Sequence, residues 1–281
     1  MPTACILTLR PTAAAALSPV LGRAAHAAVL DLIGAADADL ARRLHADVPV
    51  KPLTVALLGE RDGRVASPER SYELRVTLLV PALEALAATW SPASVPQIVL
   101  DGIAWRVERV VTQANVHPGA GSATYDALLA AALRVAARGA EARWTICFAT
   151  PVTFRQAGRN QPLPLPELVF GSLLDRWNAL APVPLPLEMR QFAAEALAIS
   201  RFDIRSVMMP TKNGALQVGA VGRCTYSATS QDRYGLACME TLARFAFYSG
   251  VGAGTARGFG QAYLEGVRPA APSANRAALA V

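Results

Sequence analysis

Five glycines fall within the fourteen residues Tyr248-Ser249-Gly250-Val251-Gly252-Ala253-Gly254-Thr255-Ala256-Arg257-Gly258-Phe259-Gly260-Gln261, between an apolar helical run and a strand-like tail. Glycine enters the left-handed backbone region freely, so so dense a run marks main chain that turns sharply or meets a polyanion with open N–H groups. Nucleotide-binding fingerprints place their glycines after a strand and at the opening of a helix. Here the glycines close a helix and open a strand. That order points away from a dinucleotide and toward a nucleic-acid backbone.

Composition supports the same direction. The chain has 281 residues and a net charge of +6, and its cations are almost all arginine, with Lys51 and Lys212 the only lysines. Arginine presents a planar fork suited to phosphate and to base edges, and a basic excess favours anionic partners. At 53% hydrophobic residues a large core is available. No stretch approaches the roughly 20 uninterrupted apolar residues of a membrane span, so no membrane partner is expected. The opening Met1-Pro-Thr-Ala-Cys-Ile-Leu reads as a strand rather than a basic leader. Cys5, Cys147, Cys224 and Cys238 are scattered without metal-like spacing, which fits reduced thiols and a cytoplasmic protein. Neither a metal site nor a cofactor is expected.

The hydrophobic pattern divides the chain into two similar halves. In the first, residues 3–10 read as a strand and Leu17, Leu21, Ala24, Ala28 and Leu32 recur at helical spacing. A short helix at 37–45 and a strand at 51–58 follow. In 71–79, Tyr72, Leu74, Val76 and Leu78 alternate with Glu73, Arg75 and Thr77, predicting a strand with one wet face. Pro81 opens a helix to Trp90, and strands at 98–100 and 105–112 complete a β-α-β-β-α-β order. A loop and short helix at about 113–139 separate the halves. The second half has strands at 142–150, 200–207, 215–228 and 258–267, with helices at 167–180, 187–199 and 233–248. Asn213-Gly214 between alternating runs signals a hairpin, because both residues tolerate positive φ. In it Phe202, Ile204, Leu216, Val218 and Ala220 face inward and Arg201, Arg205 and Arg223 face out. The expected fold is α+β: two tandem ferredoxin-like (RRM-like) βαββαβ domains with antiparallel sheets, over residues 1–135 and 140–268. Residues 269–281 read as a flexible tail.

With these elements in order, the glycine loop resembles that of the CRISPR repeat-processing endoribonucleases of the repeat-associated mysterious protein (RAMP) superfamily. Phe148-Ala-Thr-Pro-Val-Thr-Phe154 is similar to the strand and turn that open the family's second half. Leu163-Pro-Leu-Pro-Glu-Leu-Val-Phe-Gly-Ser-Leu-Leu-Asp-Arg-Trp-Asn178 resembles its proline-rich lead into the next helix. Leu44-His45-Ala-Asp-Val-Pro-Val-Lys51-Pro-Leu-Thr54 is similar to the segment that carries a catalytic histidine and a nearby lysine. The resemblance implies a metal-independent cut in precursor CRISPR RNA, by attack of a ribose 2′-hydroxyl, leaving a 2′,3′-cyclic phosphate and a 5′-hydroxyl. It implies the precursor and mature crRNA as partners, with other Cas proteins of an interference complex besides.

That chemistry needs a base, a proton donor and positive charge around the phosphorane. Histidine suits the first two roles and lysine or arginine the third. His45 at a helix end, with Lys51 six residues on, is the first candidate; capping of the helix carbonyls is its structural alternative. His26, three residues from Arg23 on the first helix, is the rival. His117 reads as a turn residue. For RNA contact the candidates are Arg23, Gly250, Gly252, Gly254, Thr255, Arg257, Gly258 and Gly260, with Arg201, Arg205 and Arg223 on the hairpin. Arg155, Arg159 and Asn160 form a polar loop that is a further candidate. Trp90, Trp105, Trp144 and Trp177 read as core. Two other functions compete: a noncatalytic RAMP subunit holding guide RNA, and a nucleotide-dependent enzyme using the glycine loop. The helix-to-strand order argues against the last.

Overall fold

The structure is a computed structural model describing residues 1–18, 21–45, 48, 50–58, 65–136, 142–210 and 215–267. The expected Asn213-Gly214 turn and the tail 269–281 lie outside the described residues. The chain forms two compact units. The first contains Met1–Ala123 and Ala256–Gly258; the second contains Thr124–Thr255 and Phe259–Val267.

The first unit runs β1 (Thr3–Pro11), β2 (Ala15–Ala16), α1 (Leu21–Ala36), α2 (Ala38–His45), β3 (Leu53–Leu58), β4 (Val65–Ala66), β5 (Tyr72–Leu78), α3 (Pro81–Ala87), β6 (Gln97–Leu100), β7 (Ile103–Val111) and β8 (Gly121–Ser122). Its main sheet has the order β3-β5-β1-β7-β6, with β8 added on β1. Every pairing is antiparallel. Stripped of β6 and β8, this is the ferredoxin-like order. Helix α1 buries Leu21, Ala25, Ala28, Val29 and Ile33 on the sheet. Leu17, Ala24 and Leu32 of the expected stripe pack against the same core from its partly buried margin. Helix α2 starts where Asp37 Oδ1 accepts from the Leu40 N–H at 2.8 Å, and its last turn carries His45 with Arg42 and Arg43, whose positive charges suit a helix C-terminus. Pro81 opens α3 as expected. Strands β6 and β7 join through Asp101 and Gly102, both at positive φ, an Asp-Gly hairpin turn.

One expectation for this unit is overturned. Only Glu73 of the expected wet face of β5 keeps contact with solvent: Arg75 is 6% exposed and Thr77 is fully buried. The stretch following β7 covers that face. Arg75 donates from Nε to the Gly119 carbonyl at 2.9 Å and from Nη1 to Thr77 at 3.0 Å. His117 is a turn residue, as expected; its Nδ1 accepts from the Gly119 N–H and its Nε2 meets Glu73 at 3.1 Å. Ile6, Val111 and Ala120 form a small second core beneath. Alternation along one strand carries no record of a loop that packs over it.

The second unit runs α4 (Tyr125–Ala136), β9 (Arg143–Val152), β10 (Phe154–Gln156), β11 (Arg159–Gln161), α5 (Pro166–Leu180), α6 (Met189–Ala196), β12 (Leu197–Pro210), β13 (Leu216–Ala228), α7 (Arg233–Ser249) and β14 (Ala262–Leu264). Its sheet order, β12-β13-β9-β14, repeats the ferredoxin-like pattern. Helix α4 belongs here through Ala132 and Ala136, which pack on Ala237 of α7. The core is aromatic. Trp144, Phe170 and Tyr226 stack edge to face in sequence, and Tyr125, Trp177 and Phe245 form a second cluster. Trp90, Trp105, Trp144 and Trp177 are all buried.

Three differences from expectation have local causes. Strand β12 begins at Leu197 and shortens α6, with a bulge between Ile199 and Arg201 absorbing the extra residue. Strand β14 is short because the main chain before it leaves regular pairing: the Gly260 carbonyl accepts from the Val251 N–H, and the Gln261 N–H donates to the Thr150 hydroxyl. In the hairpin, Phe202 and Leu216 are 66% and 63% exposed, not buried. Phe202 does lie opposite buried Cys224, on the inner-face register, but β12 is the edge strand and the described residues leave the ring largely exposed there. Gly222, opposite Ile204, has φ +127°, and a Cβ on it would lie 2.1 Å from the Asp203 carbonyl oxygen. Gly222→Ala is expected to destabilise the chain by about 2 kcal/mol or more. Gly158→Ala, at positive φ in open space, is expected to cost only about 1 kcal/mol. Denaturant unfolding of both variants checks the difference, and equal losses would refute the clash.

Candidate active site

The first unit gathers a histidine-and-cation centre around the middle of α1. His26 is half-buried there, and its Nδ1 is a buried atom with no hydrogen-bond partner. Burial pushes the imidazole down to about 4, and the positive charges of Lys51 and Arg257, with the His45 ring, push in the same direction. The ring is therefore neutral at physiological pH. His45 ends α2 and is exposed. Lys51, half-buried, donates from Nζ to the Leu44 carbonyl at 2.9 Å. Its ammonium thus takes the helix-capping role expected as the alternative for His45, and the side chain is held beside the histidine. His45, Lys51 and His26, proposed from separate segments, are brought together.

Arg257 joins them because of how the glycine loop is seated. Ala256 is buried in the first unit's core, and the Gly258 N–H donates to the Val55 carbonyl of β3 at 2.8 Å. On the other side lies Gly22 of α1, where a Cβ would stand 2.3 Å from the Arg257 carbonyl oxygen. Only glycine lets the loop backbone come this close to the helix. Gly22 is one helical turn before His26, so the contact sets Arg257 beside the imidazole. Sequence reading missed Gly22. The available signal was a glycine inside an otherwise alanine-rich helical run.

The other glycines correct the initial view of the loop. Gly250, Gly252, Gly254 and Gly260 all have positive φ, and a Cβ at Gly252 or Gly260 would strike the carbonyl oxygen of Thr153 or Val251. Main-chain N–H groups are spent internally: Val251 donates to Gly260, Ala253 to Thr153 and Gly260 to Pro151. Gly250, Gly252, Gly260 and Thr255 are buried, and the Thr255 methyl packs against Gly250 and Gly260. Thr255 props the loop from inside rather than offering a hydroxyl to solvent. Gly254, Arg257 and Gly258 remain partly exposed.

The remaining candidates sit on open surface. Arg23 is exposed on α1. In the second unit Arg201 and Arg205 are exposed on β12, and Arg223 on β13 is paired with Glu265 at 3.3 Å. Arg155, Arg159 and Asn160 are exposed on the β10–β11 hairpin, with Arg155 opposite Asn160. Among the described residues no three His, Cys, Asp or Glu side chains are grouped to hold a metal ion. No described helix is long and apolar enough to cross a membrane.

Residues 146–262 match the family of CRISPR-associated endoribonucleases Cas6. No curated protein matches the sequence. Among solved structures, the chain is similar to Cas6 (TTHB231) in a product complex, at 29% identity with a TM-score of 0.77, covering 94% of this chain and 100% of that one. The Thermus thermophilus Cas6 (TTHB231) structure gives 28% identity and 0.70 over 94% and 98% of the two chains. Cas6 (TTHA0078) in a product complex gives 28% identity and 0.73 over 94% and 99%. Residues 146–262 thus match the CRISPR-associated endoribonucleases Cas6, and the two ferredoxin-like units are similar to the solved Cas6 structures along nearly the whole chain.

Proposed function

We propose that the chain cleaves CRISPR precursor RNA within the repeat, by metal-independent attack of a ribose 2′-hydroxyl on the adjacent phosphate. The observation that carries this reading is the convergence of His26, His45, Lys51 and Arg257 in one unit. Neutral His26 accepts the 2′-hydroxyl proton. His45, exposed at the end of α2, gives a proton to the departing 5′-oxygen. Lys51 and Arg257 stabilise the extra negative charge of the phosphorane, where positive charge lowers the barrier most. The products are a 2′,3′-cyclic phosphate and a 5′-hydroxyl. Atoms balance without water or a metal in this step. Arg23, Gly254 and Gly258 serve as RNA contacts around the centre, while Arg201, Arg205 and Arg223 bind the repeat from the second unit. The partners are precursor and mature crRNA, with other Cas proteins of an interference complex, and the setting is the cytoplasm.

Three measurements test this. In single-turnover assays with repeat RNA in EDTA, His26→Ala and His45→Ala are each expected to slow cleavage by about 10²–10⁴ with affinity nearly unchanged. Tight binding without any cleavage by the wild-type chain would identify a noncatalytic RNA holder instead.

The pH dependence follows from His26. Its folded value lies below the ordinary 6.5, so between about 6.5 and 4 the unfolded chain binds more protons than the folded one. Stability is therefore fully present above 6.5 and declines as pH falls toward 4. The melting temperature of wild type should drop across this window, and His26→Gln should flatten the drop. An unchanged slope in that variant would show that His26 is not the depressed group.

Finally, Gly22→Ala places a methyl group against the Arg257 carbonyl. Displacement of Arg257 should lower the cleavage rate at least about tenfold, by loss of one charge at the phosphorane. A rate equal to wild type would mean that Arg257 does not act in the reaction.

A further inference from the structure

Outside the histidine centre, the group least explained by folding is a buried cation in the second unit. Arg176 on α5 is 8% exposed. Its Nη2 donates to the Gly252 carbonyl at 2.8 Å, and its Nη1 is buried without a hydrogen-bond partner. The adjacent carboxylate, Asp175, is held by Arg190 at 2.7 Å. Burial lowers the Arg176 guanidinium to about 10, which leaves it charged at neutral pH. A charge taken out of water without a hydrogen-bonded counter-charge is among the costliest groups a fold can carry.

Holding the loop does not require that charge. One turn earlier on α5, Ser172 Oγ accepts from the Gly252 N–H at 2.8 Å. Ser172 and Arg176 thus take both polar groups of Gly252 from one helix face. The Ala253 N–H is fixed on the Thr153 carbonyl at 2.8 Å, and a Cβ at Gly252 would stand 2.4 Å from that same oxygen. A neutral donor of the same reach would still satisfy the Gly252 carbonyl, though more weakly than a guanidinium does. The formal charge and the orphaned Nη1 remain unspent next to Gly252, and the two residues that follow it, Ala253 and Gly254, are partly exposed.

We propose that Arg176 is the buried positive charge of a phosphate seat: a phosphodiester of the RNA backbone rests on the Ala253–Gly254 stretch, and Arg176 stabilises it from beneath while holding Gly252 in place. This rests on the RNA-cleavage reading above. A fixed cation in low dielectric acts strongly on an anion a few ångströms away and costs no rearrangement when the anion arrives.

The test measures affinity of the full chain for repeat RNA, blocked by a single 2′-deoxy at the cleavage position, as a function of salt. Arg176→Gln removes the charge and, being shorter, also loosens the Gly252 contact, a loss that Ser172→Ala controls for. It should weaken binding about five- to tenfold at low salt and reduce the slope of log K against log[salt] by roughly 0.7, one phosphate's worth on single-stranded RNA. Arg176→Lys should keep the wild-type slope. Ser172→Ala, which loosens the loop and leaves the charge, should weaken binding without changing the slope. A wild-type slope in Arg176→Gln, or an equal slope change in Ser172→Ala, overturns the proposal in favour of a clamp alone. Should Arg176→Gln fail to fold by circular dichroism, Arg176→Lys decides, and a reduced slope in that variant overturns it. Failure of the wild-type chain to bind the RNA at all would instead sink the RNA reading itself.

Discussion

The candidate centre depends on one backbone-to-backbone approach, the seating of Ala256–Gly258 between α1 and β3. Gly22 removes the side chain that would keep the helix away, Ala256 enters the hydrophobic interior and Gly258 closes a hydrogen bond to Val55. Each contribution is modest alone, since a net hydrogen bond is worth about 1 kcal/mol. Together they fix three residues in succession, and the middle one carries the guanidinium that faces His26. Catalytic geometry is sensitive to displacements of about 1 Å, so a charge is best carried by main chain pinned on both sides.

Electrostatics gives the centre its character. Lys51, Arg257 and two histidines share one region, and burial first, with these charges second, depresses His26. Positive charges brought together repel in the empty protein and become favourable once a phosphodiester arrives. The binding energy of the anion is then largest where the reaction builds further negative charge. The same logic recurs at Arg176, where a cation is buried without a partner carboxylate.

Much of this was legible in the sequence, because periodicity reports faces and order. The two βαββαβ patterns, the proline start of α3, the tryptophan core and the outward arginines of β12 and β13 all follow from local spacing. What periodicity cannot report is coverage. Arg75 and Thr77 alternate like exposed residues and are buried by a distant loop, whereas Phe202 sits on an inner-face register that no helix reaches. The glycine run announced a special backbone but not its reason, since most of its N–H groups turn inward. His26 looked like half of a surface pair with Arg23; it is half-buried, and the charges of Lys51 and Arg257 that act on it come from far away along the chain. Arg176 left no signal beyond being a cation in an apolar helix.

Because Ala256–Gly258 belong to the amino-terminal unit while their neighbours on both sides belong to the other, that unit is not a contiguous piece of polypeptide. A fragment ending at Ala123 would lack one of its interior methyl groups, the donor to Val55 and the guanidinium at its reactive centre. On the ribosome, the first-made half must therefore wait, unfinished, for some of the last-made residues to emerge.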